Sequence, residues 1–589
     1  EKMIKVFKQF NKKDWALVFV VAILIVFQVW LDLKLPDYMS EITRILQSEG
    51  YIIKDILVQG GYMLLCAFGS LGSAVIVGYI TSFRSADCSM NLRRRRFKKV
   101  EDFVMTGIKK FETSSLIART TNDVTQLEML VAMGMQMIIK SPVMCVWAIT
   151  KIINKNVEWS LLVLAGVAIL LVTIGILLKI VYPRFEKVQK LIDKVNGVTR
   201  ENVTGIRVVR AFNAEEYQEN RFDKVNNDLT NMQLFNQKCF AILDPIMNIV
   251  MHFLTLGIYF IGAYLIEAAH MVDKITLFSN MVVFSSYGMQ VIMSFLMLAM
   301  IFMILPRASV SAKRINEVLD EELSLKDGTL DGNEALEVGT VEFKNVSFKY
   351  PDASEYVLKN ISFKVNKGET VAFIGSTGSG KSTLINLIPR FYDATEGEVL
   401  IDGINIKDYK LKELHNKIGY VPQKAVMFTG SVKSNVGYGS VNGTKPTLGK
   451  IKEALDVAQA SSFVKDMDGE CEAHIAQGGT NVSGGQKQRL SIARAIARDP
   501  EIYIFDDSFS ALDFKTDATL RHTLKEYTKD ATSIIVAQRI GTIINADKIV
   551  VLNEGECVGI GTHKELLKSC KIYKEIALSQ LSKEELENA

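Results

Sequence analysis

Residues 371–383 read VAFIGSTGSGKST, and this stretch decides the fold of the chain's second half. Its four leading apolar residues predict a buried strand, and the remainder fits the pattern G-x-x-x-x-G-K-[ST] of a phosphate-binding loop. In such a loop backbone N–H groups point at phosphate oxygens, Lys381 adds a positive charge, and the Ser382 hydroxyl suits Mg²⁺. We therefore expect a nucleotide to be bound by Gly375, Ser376, Thr377, Gly378, Ser379, Gly380, Lys381, Ser382 and Thr383.

Composition divides the 589 residues into two parts. Hydrophobic residues make up 48% of the chain, but the long apolar runs all lie before about residue 305, and the remainder reads as a soluble domain. The net charge of +4 favours no particular partner, so nucleic-acid binding has no support from composition. The 7 cysteines are scattered and show no C-x-x-C spacing, which indicates reduced thiols and no disulfide or metal framework.

Six hydrophobic segments are long enough to cross a bilayer, which requires about 20 residues. The connections after the second and fourth segments are long and charged, and the first of them carries the run Arg93–Arg96. Positively charged residues stay in the cytoplasm, so both termini and these two connections are expected there. The arginine run could instead bind lipid headgroups or nucleic acid, but topology explains it without a new ligand. The segments lie at about 15–35, 55–80, 127–150, 157–182, 243–267 and 275–305.

Some residues within these segments bear on a transported substrate. Met289, Met293, Met297 and Met300 recur along one face of the sixth segment, which suits either a cavity for varied apolar ligands or packing against helices and lipid. His252, alone in the fifth segment, either meets a substrate or is satisfied by a neighbouring helix. The charged pair Asp32 and Lys34 lies near the outer end of the first segment, where we expect the membrane interface.

Two more motifs follow the phosphate loop. Ile502–Asp507, IYIFDD, predicts a buried strand that ends in two carboxylates, and Asp506 is the expected acidic partner of Mg²⁺, directly or through water. Between the loop and this strand lies Val482–Arg489, VSGGQKQR, in which a serine and two glycines precede a predicted helix. The N–H groups at such a helix start form an anion site.

Together these motifs resemble ATP-binding cassette (ABC) transporters of the exporter type, and the resemblance covers almost the whole chain. The family signature L-S-G-G-Q appears as Val482–Gln486, which implies that Ser483, Gly484, Gly485 and Gln486 close over ATP held by the other cassette of a dimer. The resemblance also implies that Tyr350 stacks on adenine, that Gln423 contacts Mg²⁺ and senses the membrane domain, and that Ser510–Asp513 lie at the dimer interface.

The same resemblance extends to the membrane half. Ser115–Val124 and Glu201–Phe212 look like the helices that flank two cytoplasmic coupling elements, at about 111–117 and 212–218. The expected fold is an α-helical six-span transmembrane domain followed by a P-loop α/β ATP-binding cassette domain. We place the transmembrane domain with its two coupling helices at 1–320, a linker at 321–338 and the nucleotide-binding domain at 339–589.

Two residues depart from the family pattern at the catalytic centre. Asp507 stands where the family has a glutamate that positions the attacking water, and one methylene fewer withdraws the carboxylate by about 1.5 Å, which can cost on the order of 10²-fold in rate. Gln538 stands where the family has a switch histidine, and glutamine can donate a hydrogen bond but cannot shuttle a proton. Gln477 likewise replaces a usual acid before the signature.

These departures match the asymmetric pattern of heterodimeric ABC exporters, in which one ATP site is degenerate. We therefore expect one half of a bacterial exporter of drugs or other lipophilic compounds, in the plasma membrane, using ATP and Mg²⁺ with a second half-transporter as partner. Asp507 and Gln538, with Lys381 and Asp506, would form the slow site. Alternatives are a homodimeric pump, a lipid exporter, a peptide exporter without a preceding peptidase domain, and an ATP-gated regulator or channel.

Overall fold

The computed structural model describes residues 12–47, 52–111, 113–153, 157–322, 325–332, 335, 337–351, 353–439 and 443–581. The chain forms two compact units, one of Glu1–Asp102 and Phe111–Glu322 and the other of Phe103–Lys110 and Leu323–Ala589. Parts of each expected region lie outside the described residues: 1–11, 48–51, 112 and 154–156 of the transmembrane domain, 323, 324, 333, 334 and 336 of the linker, and 352, 440–442 and 582–589 of the nucleotide-binding domain.

Six helices in the described part of the chain are long and apolar enough to cross a membrane, so the predicted number of spans is confirmed. They are far longer than the apolar segments, because polar residues continue them: Arg307–Leu319, for instance, extends the last one. The helices before residue 320 are α1 (Lys12–Leu46), α2 (Ile53–Glu101), α3 (Met105–Phe111), α4 (Thr113–Thr120), α5 (Asn122–Met129), a π-helical turn (Leu130–Gly134), α6 (Met135–Ile153), α7 (Val157–Thr204), α8 (Ile206–Ala211), α9 (Glu215–Ala241), α10 (Leu243–Ala268) and α11 (Met271–Leu319).

Helix α10 packs tightly against two neighbours in the membrane unit. A Cβ atom added at Gly257 would lie 2.6 Å from Leu162 Cδ2 of α7, so the backbone of α10 approaches that side chain closely. On another side, a Cβ atom at Gly262 would lie 2.5 Å from Met281 Sδ of α11. Small residues allow such close approach where lipid provides no hydrophobic driving force. Trp159 and Phe284 are fully buried nearby, with ring centroids 5.2 Å apart.

The second unit contains a six-stranded sheet of order β12-β11-β3-β10-β9-β6 and an antiparallel sheet of order β2-β1-β4-β5. Strands β11, β3, β10, β9 and β6 run parallel, so their carboxyl ends meet at one edge, where ligands of open α/β sheets bind. The strands are β1 (Val341–Phe348), β2 (Leu358–Val365), β3 (Thr370–Gly375), β4 (Glu396–Ile401), β5 (Ile404–Asn405), β6 (Ile418–Val421), β7 (Gly430–Ser431), β8 (His474–Ile475), β9 (Ile502–Asp506), β10 (Thr532–Val536), β11 (Lys548–Asn553) and β12 (Glu556–Gly561).

Helices connect these strands and cover the larger sheet. The mixture of parallel strands and helices confirms the predicted P-loop α/β class. The helices are α12 (Lys381–Leu387), α13 (Leu411–Asn416), α14 (Val432–Val436), α15 (Leu448–Val457), α16 (Ser461–Lys465), α17 (Gly484–Ala497), α18 (Phe514–Tyr527), α19 (Ile540–Ile543), α20 (His563–Ser569) and α21 (Lys571–Gln580), with 3₁₀ turns at Glu470–Glu472 and Gln477–Gly479.

Candidate functional site

The phosphate loop joins β3 to α12 as the sequence predicts. Gly378 and Gly380 have φ values of 84° and 94°, in the left-handed region that side-chain-bearing residues rarely adopt. At Gly380 a Cβ atom would also lie 2.7 Å from Leu358 Cδ2 and 3.1 Å from the Val357 carbonyl oxygen. Gly380 is therefore required for two reasons: its backbone conformation is strained for other residues, and its surroundings leave no room for a side chain. Ser376 and Thr377 are exposed on the loop, whereas Ser379 is buried.

The ammonium group of Lys381 lies inside the loop. Its Nζ donates hydrogen bonds to the carbonyl oxygens of Gly375 at 2.8 Å and Ser376 at 2.7 Å, and to Ser379 Oγ at 3.3 Å. Burial lowers the pKa of Lys381, while the charges of Asp507 and Asp506 raise it. A cation at this place is suited to phosphate oxygens that enter the loop.

Ser382 and Asp506 form a pair of oxygen ligands beside the loop. Ser382 Oγ donates to Asp506 Oδ1 at 2.9 Å, and burial raises the pKa of Asp506. Among the described residues no group of three or more His, Cys, Asp or Glu side chains could hold a metal ion. A hydroxyl and one carboxylate nevertheless fit Mg²⁺, which keeps several waters and shares substrate phosphates when it is held by few protein groups.

Asp507 lies at the junction of three segments. Its φ of 47° is left-handed, and its backbone N–H donates to the Val536 carbonyl oxygen at 3.0 Å. Its Oδ2 atom accepts a hydrogen bond of 2.8 Å from Gln538 Nε2 and a longer one of 3.4 Å from Gln423 Nε2. Burial raises the pKa of Asp507, and the bond from Gln423 lowers it. The structure thus brings together three predicted site residues that lie far apart in the sequence.

The segment that carries Gln538 is fixed by a residue that the sequence analysis did not identify. Gln580, the last residue of α21, donates from Nε2 to the Gln538 carbonyl oxygen at 2.8 Å. Its Oε1 accepts the backbone N–H of Ile540, also at 2.8 Å. One side chain therefore holds the backbone on both sides of Arg539. Nothing in the local sequence around Gln580 signals this role, because the contact depends on where α21 packs.

Tyr350 lies next to the helix that follows the phosphate loop. Its hydroxyl shares a hydrogen bond of 3.0 Å with Thr383 Oγ1. Its ring makes edge contacts with Phe348 and Tyr392 at centroid distances of 5.0 Å and 5.3 Å. The aromatic ring is thus anchored beside the predicted nucleotide site; its stacking on adenine stays a prediction.

The signature residues lie at the start of another helix, α17. Ser483 Oγ accepts from the Gln486 backbone N–H at 3.3 Å, and Gln486 Oε1 accepts from the Ser483 backbone N–H at 2.9 Å. This reciprocal capping box fixes the first turn of α17. A Cβ atom at Gly485 would lie 3.2 Å from the Ala511 carbonyl oxygen, so the signature also lies against the predicted D-loop. Ser483 and Gln486 therefore bond to each other, whereas Lys381, Asp506, Asp507 and Gln538 gather at the sheet edge.

Two family models match the chain in the expected order. The model for the ABC transporter transmembrane region matches residues 16–295, and the model described as ABC transporter matches residues 358–510. The second match contains the phosphate loop, the signature and the two carboxylates.

Whole-length relatives and a solved structure agree with these matches. An uncharacterized ABC transporter ATP-binding protein of Mycobacterium tuberculosis H37Rv is 38% identical over 522 residues, 88% of this chain and 87% of the relative. The protein YfiB of Bacillus subtilis, with the same description, is 32% identical over 90% of this chain and 91% of its own. An ATP-dependent lipid A-core flippase of Haemophilus influenzae is 30% identical over 90% and 92%.

The structure of a bacterial Atm1-family ABC exporter with ATP bound superposes with a TM-score of 0.82 at 22% sequence identity, covering 95% of this chain and 98% of that one. This likeness shows the fold of the transmembrane helices and the ATP-binding domain together. With the whole-length relatives and the two family models, it establishes that the chain belongs to the ABC transporter family, as a multi-pass membrane protein whose transmembrane region is followed by an ATP-binding domain.

Proposed function

We propose that this chain is one half of a heterodimeric ABC exporter and that its own phosphate loop, Asp506, Asp507 and Gln538 form an ATP site of low turnover. The observation that carries the proposal is the 2.8 Å hydrogen bond from the Gln538 amide to Asp507 Oδ2. This carboxylate stands where hydrolysis requires a group that positions water and accepts its proton. A neutral amide can donate to it but cannot pass a proton on.

The remaining parts of the site support ATP binding without rapid hydrolysis. Lys381 is held in the loop for phosphate oxygens, and Ser382 with Asp506 provides oxygen ligands for Mg²⁺. Tyr350 is anchored beside the loop, where it would stack on adenine, and Gln423 reaches Asp507, from where it would approach the metal. A site that keeps its binding groups but has a shortened carboxylate at Asp507 and glutamine in place of the histidine would hold ATP while the partner's site turns over many times.

The signature supports a competent second site. Its capping box fixes Ser483 and Gln486 before any partner arrives, and the N–H groups at the start of the 14-residue helix α17 would suit an anion. We propose that Ser483, Gly484, Gly485 and Gln486 complete a hydrolytic site on the partner chain, which would carry an intact glutamate and histidine.

For the cargo we propose drugs or other lipophilic compounds, exported across a bacterial plasma membrane with both termini and the cassette in the cytoplasm. The exposed fractions of Met289, Met293 and Met300 are 45%, 52% and 38%, which leaves part of the methionine face available to a flexible apolar ligand. A lipid cargo is the second candidate, because a relative of 30% identity is described as a lipid A-core flippase.

The deciding experiment measures ATPase activity of the purified pair. We expect Asp507→Ala to change the rate by less than about twofold, whereas changing the partner's catalytic glutamate to glutamine lowers it on the order of 10²-fold or more. Comparable losses from both changes would contradict the asymmetric model. Copurification of an untagged second half-transporter tests the pairing directly, and ATP-driven uptake into inside-out vesicles separates a pump from an ATP-gated channel.

A further inference from the structure

Four helices of the membrane unit meet at a small polar cluster formed by Asp32, Ser70, Lys140 and Gln290, here called the midspan cluster. Ser70 Oγ donates to Asp32 Oδ1 at 2.6 Å, and Lys140 Nζ lies 3.3 Å from Asp32 Oδ2. Gln290 Nε2 donates to the Asp32 carbonyl oxygen at 3.4 Å. The residues come from α1, α2, α6 and α11, so the cluster lies where these four helices pack together.

The contacts of the cluster link Asp32 to interior positions of two other apolar segments. Gln290 is midway along the apolar stretch 275–305, about 22 Å of helix from either end. Ser70 is about 15 Å from the nearer end of the stretch 55–80. Because both contact Asp32, Asp32 lies beside apolar parts of α2 and α11 and not beside the ends of their apolar segments. Helix α1 continues to Leu46, so the end of its apolar run does not mark its depth.

The open side of this ion pair requires contact with water. The side chains of Asp32 and Lys140 are each 21% exposed. Charged groups that face hydrocarbon are costly, and ionisable residues within spans face a bundle interior or a water-filled cavity. Gln290 Oε1 is in addition buried without a hydrogen-bond partner. The cluster thus combines a partly exposed ion pair with a buried hydrogen-bond acceptor that has no partner.

The methionine face begins beside the cluster. Met289 directly precedes Gln290, and Met293 lies three residues after it, within one helical turn. Both methionines are about half exposed, at 45% and 52%. Met293 is therefore a neighbour of Gln290 on the surface of α11, which brings part of the methionine face close to the midspan cluster.

We propose that the midspan cluster and the adjoining methionines bind a zwitterionic amphiphile, with its cationic group on Asp32, its anionic group on Lys140 and its apolar body against Met289 and Met293. The inference rests on the proposed export function and names its class of substrate. A ligand with a single charge would occupy one member of the pair and leave the other unpaired in a low dielectric, which is strongly unfavourable. A zwitterion replaces one ion pair by two, so the net charge in the membrane stays unchanged.

Binding is tested on the full-length protein, purified with its copurifying chains in lipid nanodiscs, without ATP. The probes share one alkyl chain and differ in the head: phosphocholine, trimethylammonium, phosphate and neutral glucoside. We expect phosphocholine to bind about tenfold or more tightly than glucoside, a difference of about 1.4 kcal/mol. Asp32→Asn should shift the preference to the phosphate probe, and Lys140→Gln should shift it to the trimethylammonium probe.

The chain offers a matched control pair on the same two helices. Lys151 Nζ lies 2.8 Å from Asp37 Oδ2, in an ion pair of similar exposure. Asp37→Asn should leave the order of the four probes unchanged. If Asp32→Asn and Lys140→Gln weaken all four probes equally, or if Asp37→Asn alters the order in the same way, the cluster is a structural ion pair and the proposal is wrong.

A charge swap covers the case in which either single variant fails to fold. Asp32→Lys with Lys140→Asp keeps an ion pair but reverses its order. We expect the wild type to discriminate between alkyl phosphocholine and alkyl sulfobetaine, whose charges follow the chain in opposite order, and the swapped protein to invert that preference; an unchanged preference contradicts the proposal. Because binding is measured without ATP, an absence of vesicle uptake with intact charge selectivity would contradict the export function alone.

Discussion

Gln538 and Asp507 are joined by a hydrogen bond of 2.8 Å from Nε2 to Oδ2, although 31 residues separate them in the sequence. The contact forms because β10 lies between β3 and β9, so the residues that follow β10 reach the carboxylate that follows β9. It places an amide N–H group, which can only donate, against the carboxylate that would have to accept a proton from water.

Restoring both side chains should restore hydrolysis at this site. We expect Asp507→Glu with Gln538→His to raise turnover by about 10- to 10²-fold, since the longer carboxylate reaches further and imidazole can carry a proton. The change should be measured with the partner's catalytic glutamate replaced by glutamine, so that only this site contributes. Adding Lys381→Ala to the double variant should remove the gain, and a gain that survives this third change would contradict the assignment.

Gly380→Ala should weaken ATP binding by tenfold or more. Its φ of 94° is strained for alanine, and the new methyl group would lie 2.7 Å from Leu358 Cδ2, so the loop must shift. Fluorescent ATP-analogue titration measures the effect. Gly541→Ala is the matched control, because a Cβ atom at position 541 meets nothing within 4 Å. The affinity of this variant for the ATP analogue should stay within about twofold of the wild type. Equal losses from both would mean that the loop geometry is not the cause.

Gln580→Ala should loosen the segment around Gln538 without unfolding the cassette. The Ile540 N–H loses its side-chain acceptor and the Gln538 carbonyl oxygen loses its donor, each worth about 0.5–1.5 kcal/mol. Hydrogen exchange at Ile540 should become about tenfold faster, with β9 and β10 unaffected. Gln580→Glu keeps the acceptor for the Ile540 N–H but sets a carboxylate oxygen against the Gln538 carbonyl oxygen, so the protection of Ile540 should lie between that of Gln580→Ala and that of the wild type. Identical exchange in all three proteins would show that the contact is not formed in solution.

Asp506→Asn should stabilise the nucleotide-free protein at neutral pH. Burial raises the pKa of Asp506 above its unfolded value of about 3.9, so the folded state binds the proton more tightly. The resulting stability is full below the unfolded pKa and is lost as the pH rises through the folded pKa. The variant removes this loss, so its melting temperature should exceed that of the wild type at pH 7 and converge with it at acidic pH. A variant that is less stable at pH 7 would contradict this sign, and Mg²⁺-dependent ATP binding should weaken in parallel.

Sequence patterns predicted those parts of the site that a single continuous stretch of residues forms. The strand, loop and helix around Lys381 lie in consecutive residues, and Asp506 ends a strand that its own apolar run indicates. Sequence also indicated the number of spans, since about 20 apolar residues are needed to cross a bilayer. It could not give the contact between Gln538 and Asp507, which depends on strand order. The sequence also could not predict the hydrogen bonds of Gln580 to the backbone around Gln538, because they depend on where α21 packs.

The contacts of Asp32 show a second limit. Asp32 lies near the outer end of its own apolar segment, whereas its partners Ser70 and Gln290 lie well inside theirs. The composition of one helix shows where polar residues replace apolar ones. It does not show at what height that helix packs against its neighbours. In a bundle of helices much longer than the bilayer, relative height is set by side-chain contacts between helices.

The glycine contacts of α10 carry a mechanical consequence. Gly257 admits Leu162 of α7 and Gly262 admits Met281 of α11, so neither neighbour can slide along α10 without a steric clash. These two contacts therefore oppose sliding of α7 and α11 along α10.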